Sequence, residues 1–195
     1  MIFAKGKRGL IYKEKINGKD VIIKVPHPDS QAKEAVNNEI RFLKLLNKKG
    51  IGPKFIKSCN NKLWMEYIEG ETIVDFISHS SKKEVIAVLK KVFEQMFILD
   101  KMQINKLEMT HPHKHIIVRE NKPILIDFER CKYTLKPKNV TQFCQFITST
   151  NMKELLDKKG IFIDKEKMMR TAGEYKKDYS KKAFNGLLAN FATFK

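Results

Sequence analysis

The dipeptide Asn17-Gly18 constrains the fold of this chain more than any other short feature. It separates two apolar runs, residues 10–15 and 21–25, and Pro26 closes the second run. Asn and Gly both tolerate positive φ, which a two-residue turn between antiparallel strands requires. The sequence therefore predicts a β-hairpin near the N-terminus.

A helix is predicted over residues 30–50, and one of its residues does not fit its surroundings. Its apolar residues recur at spacings of three and four, so they share one face. They are Ala32, Ala35, Val36, Phe42, Leu43 and Leu46. Glu39 falls on the same face, three residues after Val36 and four before Leu43. A carboxylate on the core side of a helix needs a partner.

The rest of the chain alternates between short strands and helices. Two strands, 54–59 and 62–67, are joined by the turn Asn60-Asn61, and the pattern breaks at residues 68–70. Beyond the break we expect helices at 72–78 and 82–103, a hairpin at 116–126, and further helices from about residue 140. This order predicts an α+β fold in a single domain, residues 1–195, with lobes at 1–67 and 68–195.

Charge and cysteine content exclude several classes of protein. Lys and Arg number 39 against 22 Asp and Glu, which gives a net charge of +17 and favours anionic partners. The three cysteines, with no Cys-x-x-Cys pair, argue against a disulfide framework or a structural zinc. We expect a cytoplasmic protein without a membrane span, because apolar runs are short and interrupted by charges.

Three charged residues occupy positions where burial rules would not place them. Lys24 lies inside an apolar strand, Glu39 lies on an apolar helix face, and Asp127 ends the apolar strand 124–126. Phosphoryl transfer from ATP needs a cation for the phosphates, a carboxylate that positions the cation, and a carboxylate that binds Mg²⁺. The three residues offer one candidate for each task.

Around these residues the chain resembles the protein-kinase superfamily, and most closely the small atypical archaeal kinases related to the RIO and lipopolysaccharide-kinase groups. The resemblance rests on residues 21–24 for the strand lysine, Glu39 for the helix glutamate, residues 65–70 for the hinge, and residues 127–129 for Asp-Phe-Gly. It implies a bilobal fold with a small antiparallel β-sheet N-lobe, one helix, and a reduced, mainly helical C-lobe. It also implies a serine/threonine protein kinase-like enzyme with Mg²⁺ and ATP in the cleft between the lobes.

The same resemblance assigns residues to the nucleotide. The adenine is expected to hydrogen-bond to the backbone of Glu66 and Ile68, with Met65 as the gatekeeper. Gly6 and Gly9 stand for a reduced glycine-rich loop. Between them, Lys7 and Arg8 offer positive charge where other kinases offer backbone amides.

The catalytic loop departs most from the family pattern. Counting back from the strand 116–118 aligns His115 with the metal-binding Asn of the family and Thr110 with the catalytic Asp. An insertion of two residues aligns Glu108 with that Asp instead. Because only a carboxylate can orient the acceptor hydroxyl, we expect Glu108 to be the base and His115 to lie near the metal. Glu129 replaces the glycine of Asp-Phe-Gly.

Three interpretations are compatible with the sequence. The first is an ATP-dependent phosphotransferase or ATPase that acts on one protein, on itself or on a small molecule. The second is a catalytically impaired pseudokinase that binds RNA or ribonucleoprotein through a basic surface, for which residues 164–182 are the candidate. An α+β protein unrelated to kinases is the third and plainest possibility.

Overall fold

The computed structural model describes residues 2–6, 8–28 and 30–191. Lys7, for which we predict a role in phosphate binding, lies outside the described residues. The described chain forms two compact units. The first runs to Glu69 and also includes Ile124–Cys131, whereas the second covers Gly70–Pro123 and continues from Lys132.

The first unit is a five-stranded antiparallel sheet with one helix. Its elements are β1 (Ile2–Gly6), β2 (Gly9–Ile16), β3 (Lys19–Pro26), α1 (Ser30–Asn47), β4 (Phe55–Cys59) and β5 (Lys62–Glu66). The strand order is β1-β2-β3-β5-β4. The predicted hairpin joins β2 to β3 with Ile16 opposite Lys19, and the turn residues Asn17 and Gly18 have φ values of 50° and 76°.

Helix α1 presents its predicted apolar face to the core of this unit. Phe42, Leu43 and Leu46 are completely buried. Glu39 on the same face is only 1% exposed, so the structure buries the carboxylate that the periodicity singled out.

The second unit is mainly helical. Its helices are α2 (Ile73–His79), α3 (Lys82–Lys101), α4 (Asn139–Ile147), α5 (Thr150–Lys158), α6 (Lys165–Asp178) and α7 (Lys181–Leu188). Its short strands are β6 (Glu71–Thr72), β7 (Ile104–Asn105), β8 (Ile116–Arg119), β9 (Lys122–Leu125) and β10 (Lys132–Tyr133). They pair as β6-β8-β9 and β10-β7, and β9 runs on into the first unit. These elements confirm the α+β prediction. Every described helix is too short or too polar to cross a membrane.

A buried carboxylate organises the helices of the second unit. Asp100, near the end of α3, is 3% exposed. Its Oδ1 accepts from the backbone N–H and the side-chain amide of Asn139 at 3.1 and 2.7 Å, and its Oδ2 accepts from the Tyr175 hydroxyl at 3.0 Å. Asp100 thereby joins α3 to the start of α4 and to α6. Burial outweighs these hydrogen bonds and raises the pKa of Asp100 to about 6.

The raised pKa predicts how stability depends on pH. Because the folded state holds the Asp100 proton more tightly, this group favours folding at about pH 4, and its contribution is lost as the pH rises through about 6. The loss amounts to about 3 kcal/mol. We expect the wild type to lose about 2 kcal/mol of this unfolding free energy relative to Asp100→Asn between about pH 4 and pH 7, measured by urea denaturation. Parallel pH profiles would contradict the prediction.

Candidate functional site

Lys24, Glu39 and Asp127 come together inside the first unit. The Lys24 Nζ atom donates to both Glu39 carboxylate oxygens, at 2.8 and 2.7 Å. It also lies 3.4 Å from Asp127 Oδ1. The side chains of Lys24 and Asp127 are 15% and 29% exposed, so the cluster is buried on the Glu39 side and reachable on the Asp127 side. Three residues that are far apart in the sequence thus share one site.

The position of Asp127 depends on the residue that follows it. Phe128 is 1% exposed, and its backbone N–H donates to Glu39 Oε1 at 3.4 Å. Its ring lies against Gly52, where an added Cβ would come within 2.7 Å of the Phe128 ring and 3.0 Å of Leu43 Cδ1. Gly52 also has φ +86°, so both its conformation and its space require glycine. Asp127 itself has φ 65°, an unfavourable backbone state for a residue with a side chain, and such residues cluster at functional sites.

Glu129 forms an ion pair with Arg8. The side-chain amide of Asn38 donates to the Glu129 carbonyl at 2.9 Å and to the Cys131 carbonyl at 2.8 Å. Arg8 is fixed through its own carbonyl, which accepts from the His27 N–H at 3.0 Å. The turn between β1 and β2 therefore places a guanidinium beside the acidic cluster.

Gly9 holds this turn close to β3. A Cβ at Gly9 would lie 2.2 Å from the Val25 carbonyl oxygen, so only glycine fits there. Gly6 pairs with Gly9 across the two strands. The two predicted glycines thus form a tight turn that fixes Arg8.

The cluster contains more carboxylates than cations, and this imbalance affects the pKa values of its residues. Burial alone would lower the pKa of Lys24, but the carboxylates of Glu39 and Asp127 reverse this effect and raise the pKa above its ordinary value. Burial raises the pKa of Glu39, the Lys24 ammonium opposes the rise, and the charge of Asp127 adds to it. Both pKa values are raised in part because three carboxylates, including Glu129, share the two cations Lys24 and Arg8. Lys24 stays protonated, and the cluster attracts a further cation.

The three carboxylates are close enough to share a metal ion. Among the described residues, Glu39, Asp127 and Glu129 form a group whose ligand oxygens all lie within 4.8 Å of one another. Carboxylate oxygens are the ligands that Mg²⁺ prefers. Since both Glu39 oxygens already accept from Lys24 and one also accepts from the Phe128 N–H, Asp127 and Glu129 are the better metal ligands.

The predicted hinge residues lie at the end of β5 and just after it. Met65 is 6% exposed and pairs with Ile22 on β3. The Glu66 N–H donates to the Lys54 carbonyl at 2.9 Å, so a ligand at Glu66 would have to use its carbonyl. Ile68 is half-buried.

The proposed base and its neighbours belong to the second unit. Glu108 Oε2 lies 3.7 Å from the Nζ of Lys106, and the Lys106 side chain is fully buried. Thr110 contacts the ring of His111, with 3.2 Å between Oγ1 and Nδ1. His115 is half-buried and donates its backbone N–H to the Pro112 carbonyl at 2.8 Å. The burial of Lys106 could not be predicted from the sequence, because a lysine in a loop, two residues from a glutamate, is typical of an exposed position.

No protein-family model matches the chain, and no curated protein matches it either. The assignment of the site therefore rests on its own geometry and chemistry.

The buried pair predicts a distinctive pattern of stability changes. Glu39→Leu should destabilise the first unit by about 3 kcal/mol, because the Lys24 charge loses its buried partner. Lys24→Met should also destabilise, whereas the double variant should lose less than the sum of the two single losses. Urea denaturation of the four proteins gives the coupling energy. Strictly additive losses would show that the two side chains do not depend on each other.

Proposed function

We propose that this protein is an ATP-dependent phosphotransferase, similar to atypical serine/threonine protein kinases, that binds Mg·ATP at the Lys24–Glu39–Asp127 cluster. The observation that carries the proposal is the placement of a lysine between a buried helix carboxylate and a more exposed carboxylate. The three residues are those that the sequence selected for phosphate binding, cation positioning and metal binding. Charge complementarity is the chemical basis of the proposal.

Each side chain has a defined task in this proposal. Lys24, held by both oxygens of Glu39, binds the phosphates as a fixed positive charge. Asp127, with Glu129 beside it, would hold Mg²⁺ and so neutralise charge at the transferable phosphate. Arg8 supplies a second cation, whose planar fork suits a phosphate.

The reaction itself is assigned to the loop before β8. We assign to Glu108 the orientation of the acceptor hydroxyl, as the alignment of the catalytic loop predicts, and to His115 the role of the family's metal-binding residue. The acceptor is one protein, the enzyme itself or a small molecule, and not a broad range of proteins. The chain has no Ala-Pro-Glu motif after residue 127, and that motif belongs to the peptide-docking region of other kinases. Water as the acceptor would make the protein an ATPase.

Binding is tested by thermal stability with and without Mg·ATP. A ligand that binds only the native state stabilises it by about 2.7 kcal/mol at a concentration 100 times its Kd. We expect the melting temperature of the wild type to rise by several degrees, at about 2–4 °C for each kcal/mol. Lys24→Met and Asp127→Asn should abolish the shift. Lys19→Met and Asp20→Asn, on the same β3 strand, are the matched controls and should retain it.

No shift in the wild type at millimolar Mg·ATP would refute the nucleotide site. A shift that survives in both site variants would place ATP elsewhere.

Catalysis is tested separately from binding. Glu108→Gln should reduce phosphate release or transfer from Mg·ATP at least about 100-fold, because a positioned general base contributes at least that factor. The Mg·ATP-induced thermal shift should be unchanged. Thr110→Val tests the other alignment and should leave turnover intact. Full turnover in Glu108→Gln would contradict the assigned base, and binding without turnover in the wild type would identify the pseudokinase alternative.

A further inference from the structure

The positive charge of the first unit is concentrated in one stretch of chain. Residues 40–65 contain seven Lys and Arg and no Asp or Glu. All seven are exposed, and we call them the basic surface. They are Arg41, Lys44, Lys48, Lys49, Lys54, Lys57 and Lys62.

The rest of the first unit is electrically balanced. The unit contains sixteen Lys and Arg against nine Asp and Glu, so without the basic surface nine of each sign are left. A lysine-rich solvated surface would spread its excess over the whole unit. Here the entire excess belongs to the second half of α1, the loop that follows it, β4 and the start of β5.

Side-chain amides hold these elements together. Asn47, the last residue of α1, donates to the carbonyls of Ile51 and Pro53 at 3.0 and 2.9 Å. Its Oδ1 accepts from the Phe55 N–H at 2.7 Å, which fixes the start of β4. Asn37 donates to Asn61 Oδ1 at 2.8 Å and so ties α1 to the turn between β4 and β5. The basic surface therefore has a defined shape.

Two of its lysines lie over aromatic rings. Lys44 Nζ is 4.6 Å from the ring centre of Phe55, and Lys57 Nζ is 4.9 Å from that of Trp64. Phe55 and Trp64 are both half-buried residues, so neither is enclosed in the core. Aromatic rings next to cations are the combination that binds stacked bases and phosphates together.

The two lysine–aromatic pairs lie on opposite faces of the sheet. Phe55 is opposite Met65, and Lys57 is opposite Trp64, across the β4–β5 ladder. Directly paired residues share a face, whereas the consecutive residues Trp64 and Met65 point to opposite faces. Strand β4 is the last strand of the sheet. The basic surface thus wraps around a sheet edge.

We propose that the basic surface binds single-stranded RNA. A polyanion with one phosphate per nucleotide can follow cations around a sheet edge, whereas a planar bilayer meets only one side of it. The two half-buried rings offer stacking positions for bases. This inference goes beyond the proposed phosphotransfer and does not depend on it.

The segment 164–182, the surface suggested by the sequence, fits RNA less well. It carries seven Lys and Arg but also four Asp and Glu. Two of its charges neutralise each other, because Lys177 Nζ contacts Glu174 at 2.8 Å. Its excess charge is therefore less than half that of the basic surface, and it serves as the internal control.

The test is the salt dependence of RNA binding. The probe is a fluorescently labelled uridine oligonucleotide of about 20 residues, which forms no duplex and exceeds the usual site size. For the wild-type chain we expect affinity to fall steeply with salt. The triple variant Lys44→Gln, Lys48→Gln, Lys57→Gln should reduce the slope of log K against log salt by about 2, since each neutralised phosphate of a single strand contributes about 0.7.

The matched control is the triple variant Lys165→Gln, Lys167→Gln, Arg170→Gln on α6, which removes the same charge. It should retain the wild-type slope and affinity. Equal weakening in both variants would show that only net charge matters and would overturn the inference, as would absence of RNA binding by the wild type. Binding to phosphatidylserine vesicles but not to RNA would overturn it in favour of a membrane.

A further variant, Trp64→Leu, tests stacking without a change of charge. It should weaken RNA binding about 5- to 150-fold and leave the salt slope unchanged, because the stacking of a base on the aromatic ring is lost. Unaltered affinity in Trp64→Leu would remove the aromatic part of the inference. All variants should retain any Mg·ATP-induced thermal shift, which separates this test from that of the nucleotide site.

Discussion

The ion pair between Lys24 and Glu39 is the interaction on which the first unit depends. It joins β3 to α1 with both charges largely out of water, and each charge is tolerated only because the other is present. The segment 127–129 is attached to the same pair, through the contact of Asp127 with Lys24 and the bond from the Phe128 N–H to Glu39. Asn38 fixes the end of that segment. A site of this kind is preorganised, because its charges are already held where a phosphate and a metal would need them.

The sequence predicts the local part of this arrangement well. The turn at Asn17-Gly18 and the apolar face of α1 depend on short-range rules, and Glu39 stands out because it breaks one of them. The pairing of Arg8 with Glu129 could not be predicted, because it joins residues 121 positions apart and each alone resembles a surface charge. Asn38 gives no signal either, since its backbone partners, Glu129 and Cys131, lie more than 90 positions away in the sequence. For the same reason the sequence did not predict that residues 124–131 pack with the first unit.

Two regions of the first unit have opposite electrostatic character. Around Asp127 three carboxylates share Lys24 and Arg8, so the local excess is negative and favours a bound cation. Along residues 40–65 seven cations occur without a carboxylate, so the excess there is positive. The first region suits a metal-bound nucleotide and the second a polyanion, and both depend on α1. Glu39 faces the core from this helix, and Arg41 and Lys44 face solvent.

The proposed function requires a metal-bound nucleotide at the Lys24–Glu39–Asp127 cluster. Manganese can replace Mg²⁺ in such sites, and its unpaired electrons broaden the NMR signals of nearby amides. The most direct measurement is therefore an amide NMR spectrum of the protein with Mn·ATP, compared with Mg·ATP. We predict selective broadening of the amides of Lys24, Phe128 and Glu129, and its loss in Asp127→Asn. Broadening spread over the surface, or the same pattern in Asp127→Asn, would contradict the account.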